Sequence, residues 1–172
     1  VVGIVPASAN AKKDWFPDRY ADVVDSLERD FGYRSVLIGG PGAREQAIAR
    51  DIVARAGTEP AWGLGDSIRR LMWMIDGVDL LIAPDTGPVH IARGLGVPVV
   101  GLYGHTNPWR VGPYRAWEEL WIDRYTEPGE ASDPSNFTPK LGRMERITAD
   151  DVLDRVHRAV PYVAARFAGR GG

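Results

Sequence analysis

The stretch DLLIAPDTGPVHIARGLGVPVVGLY, residues 79–103, carries the clearest structural pattern in the sequence. Its apolar runs at 79–83 and 97–103 predict two strands that are covered on both faces. Between them, the turn at 84–88 leads into a short helix over 89–95. A strand, a helix and a second strand in this order predict a right-handed crossover between parallel strands.

The same alternation continues on both sides of this stretch. Further strands are predicted over residues 1–5, 35–38 and 120–122, with another short strand within 60–65. Further helices are predicted over residues 17–31 and 44–56, from Asp66 or Ser67 to about 75, and after Thr148. We therefore expect one α/β domain, residues 1–167, with a doubly wound, Rossmann-like parallel sheet, followed by a disordered tail over 168–172.

The amino-acid composition argues against several classes of function. The chain has 172 residues and a net charge of −2, which argues against a basic nucleic-acid surface. The sequence contains no cysteine, which excludes disulfides, thiol nucleophiles and cysteine-ligated metals, and its three histidines disfavour a multi-histidine metal site. No run approaches the roughly 20 apolar residues of a membrane span. The chain starts without Met in an apolar strand-like run, which suggests a fragment or a processed product.

The segment after the strand at 79–83 is the strongest candidate site. Ligands of open parallel sheets bind beyond the carboxyl ends of the strands. Asp85, Thr86 and Gly87 open a helix there, and His90 follows near its second position. Free amides at a helix start, a hydroxyl and a glycine suit an anion such as phosphate. The alternative is that Asp85 or Thr86 merely caps the helix, and spacing alone leaves both interpretations open.

Three other segments also follow predicted strands. Lys12 and Lys13 lie between the first strand and the first helix, where a lysine can meet a phosphate or simply be solvated. The turn Gly39-Gly40-Pro41-Gly42 precedes Glu45, a carboxylate suited to ribose hydroxyls or to an ordinary first helical turn. Residues 103–110 offer donors, a cation and aromatics, or plain packing. None of these segments is the G-x-G-x-x-G of nicotinamide or flavin domains.

Residues 79–114 together resemble glycosyltransferase family 9, the ADP-heptose:lipopolysaccharide heptosyltransferases. The family pattern is a D-[ST]-G-x-x-H-[LI]-A turn, a G-x-P strand and a G-x-T-x-P-x-x-x-G-P-Y loop, and each part is present in order. The upstream segments AKKDW and IGGPGAREQ also resemble the family. This resemblance implies a GT-B fold of two Rossmann-like domains, of which this chain is the C-terminal, donor-binding half. The N-terminal acceptor domain is then absent from the chain.

The resemblance implies an inverting transfer of heptose from ADP-heptose to the inner core of lipopolysaccharide, without metal or other cofactor. It assigns Lys13 to the donor phosphates and Glu45 to the ribose. The pyrophosphate cradle is Asp85, Thr86, Gly87 and His90, and the adenine contacts are Leu64 and Gly65. The general base belongs to the missing domain, so we expect the isolated chain to be inactive. The whole enzyme is expected in the cytoplasm, at the inner face of the bacterial inner membrane, with no nucleic-acid partner.

Two departures from the family pattern leave the sugar open. Pro88 and Val89 follow the D-T-G turn where many members carry other residues, and residues 123–140 lack the cysteines common there. One alternative is the donor domain of another GT-B nucleotide-sugar enzyme with a different sugar. Another is a non-catalytic doubly wound binding module that uses its aromatic-rich residues 109–121. A hydrolase is disfavoured because the sequence has no G-x-S-x-G elbow.

Overall fold

The structure is a computed structural model and describes residues 1–170. Its strands are β1 Val2–Ile4, β2 Ser35–Leu37, β3 Ala61–Trp62, β4 Leu80–Pro84, β5 Val99–Tyr103 and β6 Trp121–Asp123. Its helices are α1 Pro17–Phe31, α2 Ala43–Arg55, α3 Ile68–Gly77, α4 Gly87–Gly94, α5 Pro108–Val111 and α6 Ala149–Arg170. Short 3₁₀ turns cover Ala11–Lys13, Glu118–Leu120 and Met144–Arg146.

The six strands form one parallel sheet in the order β3-β2-β1-β4-β5-β6. β1 is central and pairs with both β2 and β4, with Val2 opposite Ser35 on one side and Leu80 on the other. This is the strand order of dinucleotide-binding domains. The predicted fold class, a doubly wound α/β sheet, is therefore confirmed.

Two apolar layers cover the sheet, and the residues of β1, β2, β4 and β5 are buried between them. α1 packs against α2 and α6, and this layer covers the face that includes Leu37 and Leu80. α3 packs against α4 on the opposite face, over Ile38 and Leu81. No helix within residues 1–170 is both long and apolar enough to cross a membrane.

α6 begins with a reciprocal cap. The Thr148 amide donates to Asp151 Oδ2 at 3.0 Å, and the Asp151 amide donates to Thr148 Oγ1 at 3.1 Å. The inner face of the helix is buried and consists of Val152, Val156, Ala159 and Val163. The helix continues through residues 168–170, which the sequence analysis predicts to be part of a disordered tail. Residues 171–172 of that tail lie outside the described residues.

Candidate functional site

The crevice of this sheet lies where the chain leaves β1 and β4. These neighbouring strands connect in opposite directions, β1 toward β2 and β4 toward β5. The connections therefore diverge above the carboxyl ends of the two strands and leave a gap there. Residues 8–10 and Lys13 line one side of the gap, and Asp85, Thr86, Gly87 and His90 line the other.

Lys13 and Asp85 join the two sides. Lys13 ends the 3₁₀ turn Ala11–Lys13, in which the Lys13 amide donates to the Asn10 carbonyl at 2.9 Å. Its Nζ donates to Asp85 Oδ2 at 2.6 Å, and Asp85 is 8% exposed. A charge-assisted bond this short between half-buried groups fixes the amine at the mouth of the crevice.

The start of α4 differs from the prediction by two residues. The helix begins at Gly87 instead of residue 89, so His90 is its fourth residue and not its second. Thr86 occupies the cap position, but its side chain makes no capping bond, and the Asp85 carboxylate is bound to Lys13. Neither side chain therefore caps the helix by a hydrogen bond.

Donors at this helix start are few. Pro88 has no N–H, and the Val89 amide donates to the Thr86 carbonyl at 3.1 Å. The Gly87 amide and the Thr86 hydroxyl remain at the first turn, where an anion is favoured by the helix dipole. His90 is exposed at the rim of the same cleft.

Two clefts meet at this point. A cleft of about 240 Å³ brings together all five residues predicted to contact the diphosphate, namely Lys13, Asp85, Thr86, Gly87 and His90. A second cleft of about 430 Å³ contains Glu45 and the glycine turn. Ser8, Ala9 and Thr86 line both, so the two clefts are adjacent. Taken together, the volumes of the two clefts fall within the range of a small-molecule site, about 300–1,000 Å³.

The glycine turn makes room for Glu45. The Glu45 carboxylate folds back over the turn, so a Cβ at residue 39 would overlap Oε1 and one at residue 40 would lie 3.1 Å from Oε2. The turn thus sets where the carboxylate points. An ionised carboxylate in this cleft can accept hydrogen bonds from two hydroxyl groups.

Leu64 and Gly65 are not brought into the cleft lining. Leu64 is 7% exposed and packs in the core, and Gly65 is covered by the Arg70 side chain. The Gly65 amide donates to the Gly39 carbonyl at 3.0 Å, so this segment supports the glycine turn from the side. The apolar lining of the cleft comes instead from Leu71 and Pro88, which we did not predict. Leu71 is one helical turn before the buried Ile75, a spacing that could have placed it on the inner face of α3.

Trp15 anchors the segment that carries Lys13. Its Nε1 donates to the Ile147 carbonyl at 3.0 Å, and its ring meets Tyr20 edge-on with centroids 4.7 Å apart. Trp15 is 2% exposed. This contact ties the chain after Lys13 to the residues just before α6, a long-range link that no local sequence pattern signals.

Residues 103–110 serve mainly to hold the structure. The Asn107 side-chain amide, through Nδ2, donates to the carbonyls of Asp133 and Asn136 at 2.8 and 3.2 Å. His105 Nδ1 lies 3.2 Å from the Lys140 carbonyl. The Tyr103 hydroxyl has no partner among the described residues. Burial, and to a smaller extent the Asp85 charge, raises the pKa of Tyr103, so the phenol stays protonated.

A larger concave region lies elsewhere. A cleft of about 660 Å³ opens beside the edge strand β3 and is lined by residues that include Arg34, Arg50 and Trp62. It contains none of the predicted site residues. Within residues 1–170, no group of three or more His, Asp and Glu side chains is arranged to hold a metal ion.

The doubly wound sheet has a lysine, a helix start and a carboxylate around its switch point. These features are typical of the class of Rossmann-like domains that bind nucleotides. Within that class the chain belongs to glycosyltransferase family 9 (heptosyltransferase), whose family model matches residues 1–132. The resemblance found in the sequence is therefore confirmed.

Curated relatives share substantial identity. The chain is 37% identical over 139 residues to the lipopolysaccharide core heptosyltransferase OpsX of Haemophilus influenzae, which covers 79% of this chain and 40% of that protein. It is 33% identical over 123 residues to lipopolysaccharide heptosyltransferase 3 of Escherichia coli K12, covering 67% and 36%. The chain thus spans about two-fifths of the length of these relatives.

Solved structures share the fold. The glycosyltransferase family 9 protein from Veillonella parvula matches with a TM-score of 0.74 and 28% identity, over 95% of this chain and 46% of that one. E. coli heptosyltransferase WaaC, solved with ADP, matches with a TM-score of 0.68 and 18% identity, over 91% and 43%. Each match covers less than half of the solved protein.

Proposed function

We propose that this chain is the donor-binding part of a heptosyltransferase that transfers heptose from ADP-heptose to the lipopolysaccharide core. The observation that carries the proposal is the adjacent pair of clefts, with Lys13 and Asp85 in one and Glu45 in the other. Support comes from relatives named as lipopolysaccharide heptosyltransferases, and from WaaC, which has been solved with ADP and with ADP-2-deoxy-2-fluoro heptose.

The diphosphate of the donor occupies the smaller cleft. An ammonium group has three N–H donors, so Lys13 can keep its bond to Asp85 and also contact a phosphate oxygen. The Gly87 amide and the Thr86 hydroxyl add uncharged donors at the helix start, and His90 closes the rim. These groups stabilise the negative charge that grows on the leaving ADP as the glycosidic bond breaks. In this proposal the protein's own donors perform that task without a divalent cation.

The nucleoside occupies the larger cleft. Glu45 accepts hydrogen bonds from the ribose hydroxyls, in the position that the glycine turn gives its carboxylate. The adenine ring packs against Leu71 and Pro88, while Leu64 and Gly65 support the turn from behind. The ring therefore meets apolar side chains on one side and the Gly39–Gly40 backbone on the other.

The remaining steps lie beyond these 172 residues. Transfer with inversion needs a general base that takes the proton from the acceptor hydroxyl. In our proposal the base and the acceptor-binding surface belong to an N-terminal acceptor domain, so the isolated chain does not transfer sugar. The whole enzyme works on the cytoplasmic side of the inner membrane, with peripheral attachment to reach its lipid-linked acceptor.

Calorimetric titration of the chain with ADP, UDP and GDP, in the presence of a chelator, tests this proposal. We expect ADP to bind in preference to the other two nucleotides and Lys13→Ala to weaken that binding strongly. Lys12→Ala is the matched control, because the neighbouring Lys12 is exposed and does not line the clefts.

Equal binding of all three nucleotides would favour another GT-B enzyme with a different donor. No binding by any of them would contradict the proposal and favour a non-catalytic module. Sugar transfer by the isolated chain would disprove the assignment of the base to another domain.

A further inference from the structure

Asp14 and Arg44 form a closed set of contacts around the loop that carries Lys13. The Ser8 amide donates to Asp14 Oδ1 at 2.8 Å. Arg44 donates one bond to Asp14 Oδ2 and another to the Ser8 carbonyl. Both backbone groups of Ser8 are thus held by one ion pair, and the Asp14 side chain is 11% exposed.

These contacts join the parts of the candidate site that come from separate elements. Ser8 and Asp14 are the two ends of the loop, and Lys13 directly precedes Asp14. Arg44 lies in the first turn of α2, directly before Glu45. Ser8 lines both clefts, and Arg44 lines the larger one. The loop after β1 and the first turn of α2 are therefore fixed to each other beside the place where the clefts meet.

We propose that Asp14 and Arg44 are positioning residues that hold Lys13 toward Asp85 and in register with Glu45. The proposal rests on the proposed function, since it assumes that one ligand spans both clefts. The physical reason is that a lysine on a short exposed loop has many conformations, and each lost conformation lowers the entropy of binding. Closing the loop at both ends removes that freedom before the ligand arrives.

Two other roles for Arg44 give different results. If Arg44 contacted the ligand directly, removing Asp14 would free the guanidinium and strengthen the binding of a diphosphate. If the pair only stabilised the fold, its loss would weaken binding equally whether or not Lys13 is present.

A double-mutant cycle on the full chain separates these roles, with ADP affinity measured by calorimetry. We expect Asp14→Ala to weaken ADP binding about tenfold, and Arg44→Gln by a similar factor. In the Lys13→Ala background, Asp14→Ala should change the residual affinity less than about twofold, since its effect acts through Lys13. Additive effects, or tighter binding by Asp14→Ala, would overturn the proposal. Asp14→Asn replaces Asp14→Ala if the latter does not fold.

A second readout needs no nucleotide. The labelling rate of Lys13 by an amine-reactive reagent, read by mass spectrometry, should rise about tenfold in Asp14→Ala as the amine leaves Asp85. Asp51→Ala is the control, because Asp51 forms an exposed ion pair with Arg55 on the same helix as Arg44. An unchanged rate at Lys13 would overturn the positioning role. If the wild-type chain binds no ADP while Asp14→Ala still shows the faster labelling, only the proposed function is contradicted.

Discussion

Asp85 has two properties that conflict unless Lys13 is present. It lies at the end of a buried strand, and it is a carboxylate at a site suited to anions. A nearly buried charge without a partner is costly, and a free carboxylate would repel phosphate. The bond of 2.6 Å to Lys13 resolves both problems. The sequence indicated that both residues belong to the site but could not show that they pair, because they are 72 positions apart.

Lys13→Ala should lower the free energy of unfolding by about 1–3 kcal/mol, since it leaves Asp85 with an unmet charge in a nearly buried place. Adding Asp85→Ala should restore part of that loss, because the unpaired carboxylate is then gone. Urea denaturation of the two single variants and the double variant measures both effects. Strictly additive losses would show that the pair does not contribute as a unit.

Gly39→Ala should weaken ADP binding to the level of Glu45→Gln, because the new methyl group takes the place of the Glu45 carboxylate. We expect about a tenfold loss of affinity, the factor that corresponds to one charge-assisted hydrogen bond of about 1.4 kcal/mol. Gly42→Ala is the control, since a Cβ there would have its nearest neighbour at 3.9 Å. Equal effects of the two alanines would contradict this role of the turn.

At the level of elements, periodicity and capping signals located the long helices and the buried strands well. α1 begins at Pro17 and ends before Gly32, as the proline and the glycine predict. The start of α4 was placed too late because Pro88 resembles a turn residue, whereas proline also suits the first turn of a helix. α5 was missed because a helix of four residues has no periodicity to detect.

The cap of α6 gives a prediction for acid conditions. Partial burial opposes ionisation of Asp151, but the bonds from Arg124 and Thr148 outweigh it and lower the pKa of Asp151. In the unfolded chain the pKa of an aspartate is about 3.9. Its contribution to stability is therefore complete above about pH 4 and is lost as the pH falls through the lower pKa of the folded protein.

Asp151→Asn should lower the free energy of unfolding at pH 7 by about 1 kcal/mol, because asparagine keeps an acceptor for the Thr148 amide but loses the ion pair with Arg124 and the negative charge in the first helical turn. The difference from wild type should shrink below about pH 4 and vanish at lower pH. Asp150→Asn is the control, since Asp150 shares the first helical turn. Unfolding curves at pH 7, 4 and 3 measure the difference in free energy between the variant and the wild type. A difference that stays constant with pH would contradict the prediction.

For the molecule as a whole, the sequence predicted a parallel sheet but not the order of its strands. Strand–helix alternation predicted parallel strands with helices on both faces, and the crossover rule placed the ligand crevice at their carboxyl ends. The contacts that complete the site join positions far apart in the chain, such as Arg44 with Ser8 and Trp15 with Ile147. Such pairings depend on packing between layers, which a single sequence does not encode locally.

Ligand binding at the crevice should stabilise the entire domain, because the groups around it come from three elements and their loops. At one hundred times its Kd, ADP should add about 2.7 kcal/mol to the free energy of unfolding. For a chain of this size that corresponds to a rise in Tm of about 5–11 °C. Differential scanning calorimetry measures the rise, and a similar rise with UDP at equal concentration would contradict the predicted selectivity.

The central position of β1 sets an order of events during synthesis. A ribosome makes β1 before β4, and β1 gains its second neighbour only when residues 80–82 have left the exit tunnel. Until then the nascent chain can pair β1 with β2 alone, and one flank of β1 stays open to chaperones or to wrong partners. The Lys13 loop likewise waits for Asp85. Binding competence therefore arises only after Asp85 has left the exit tunnel.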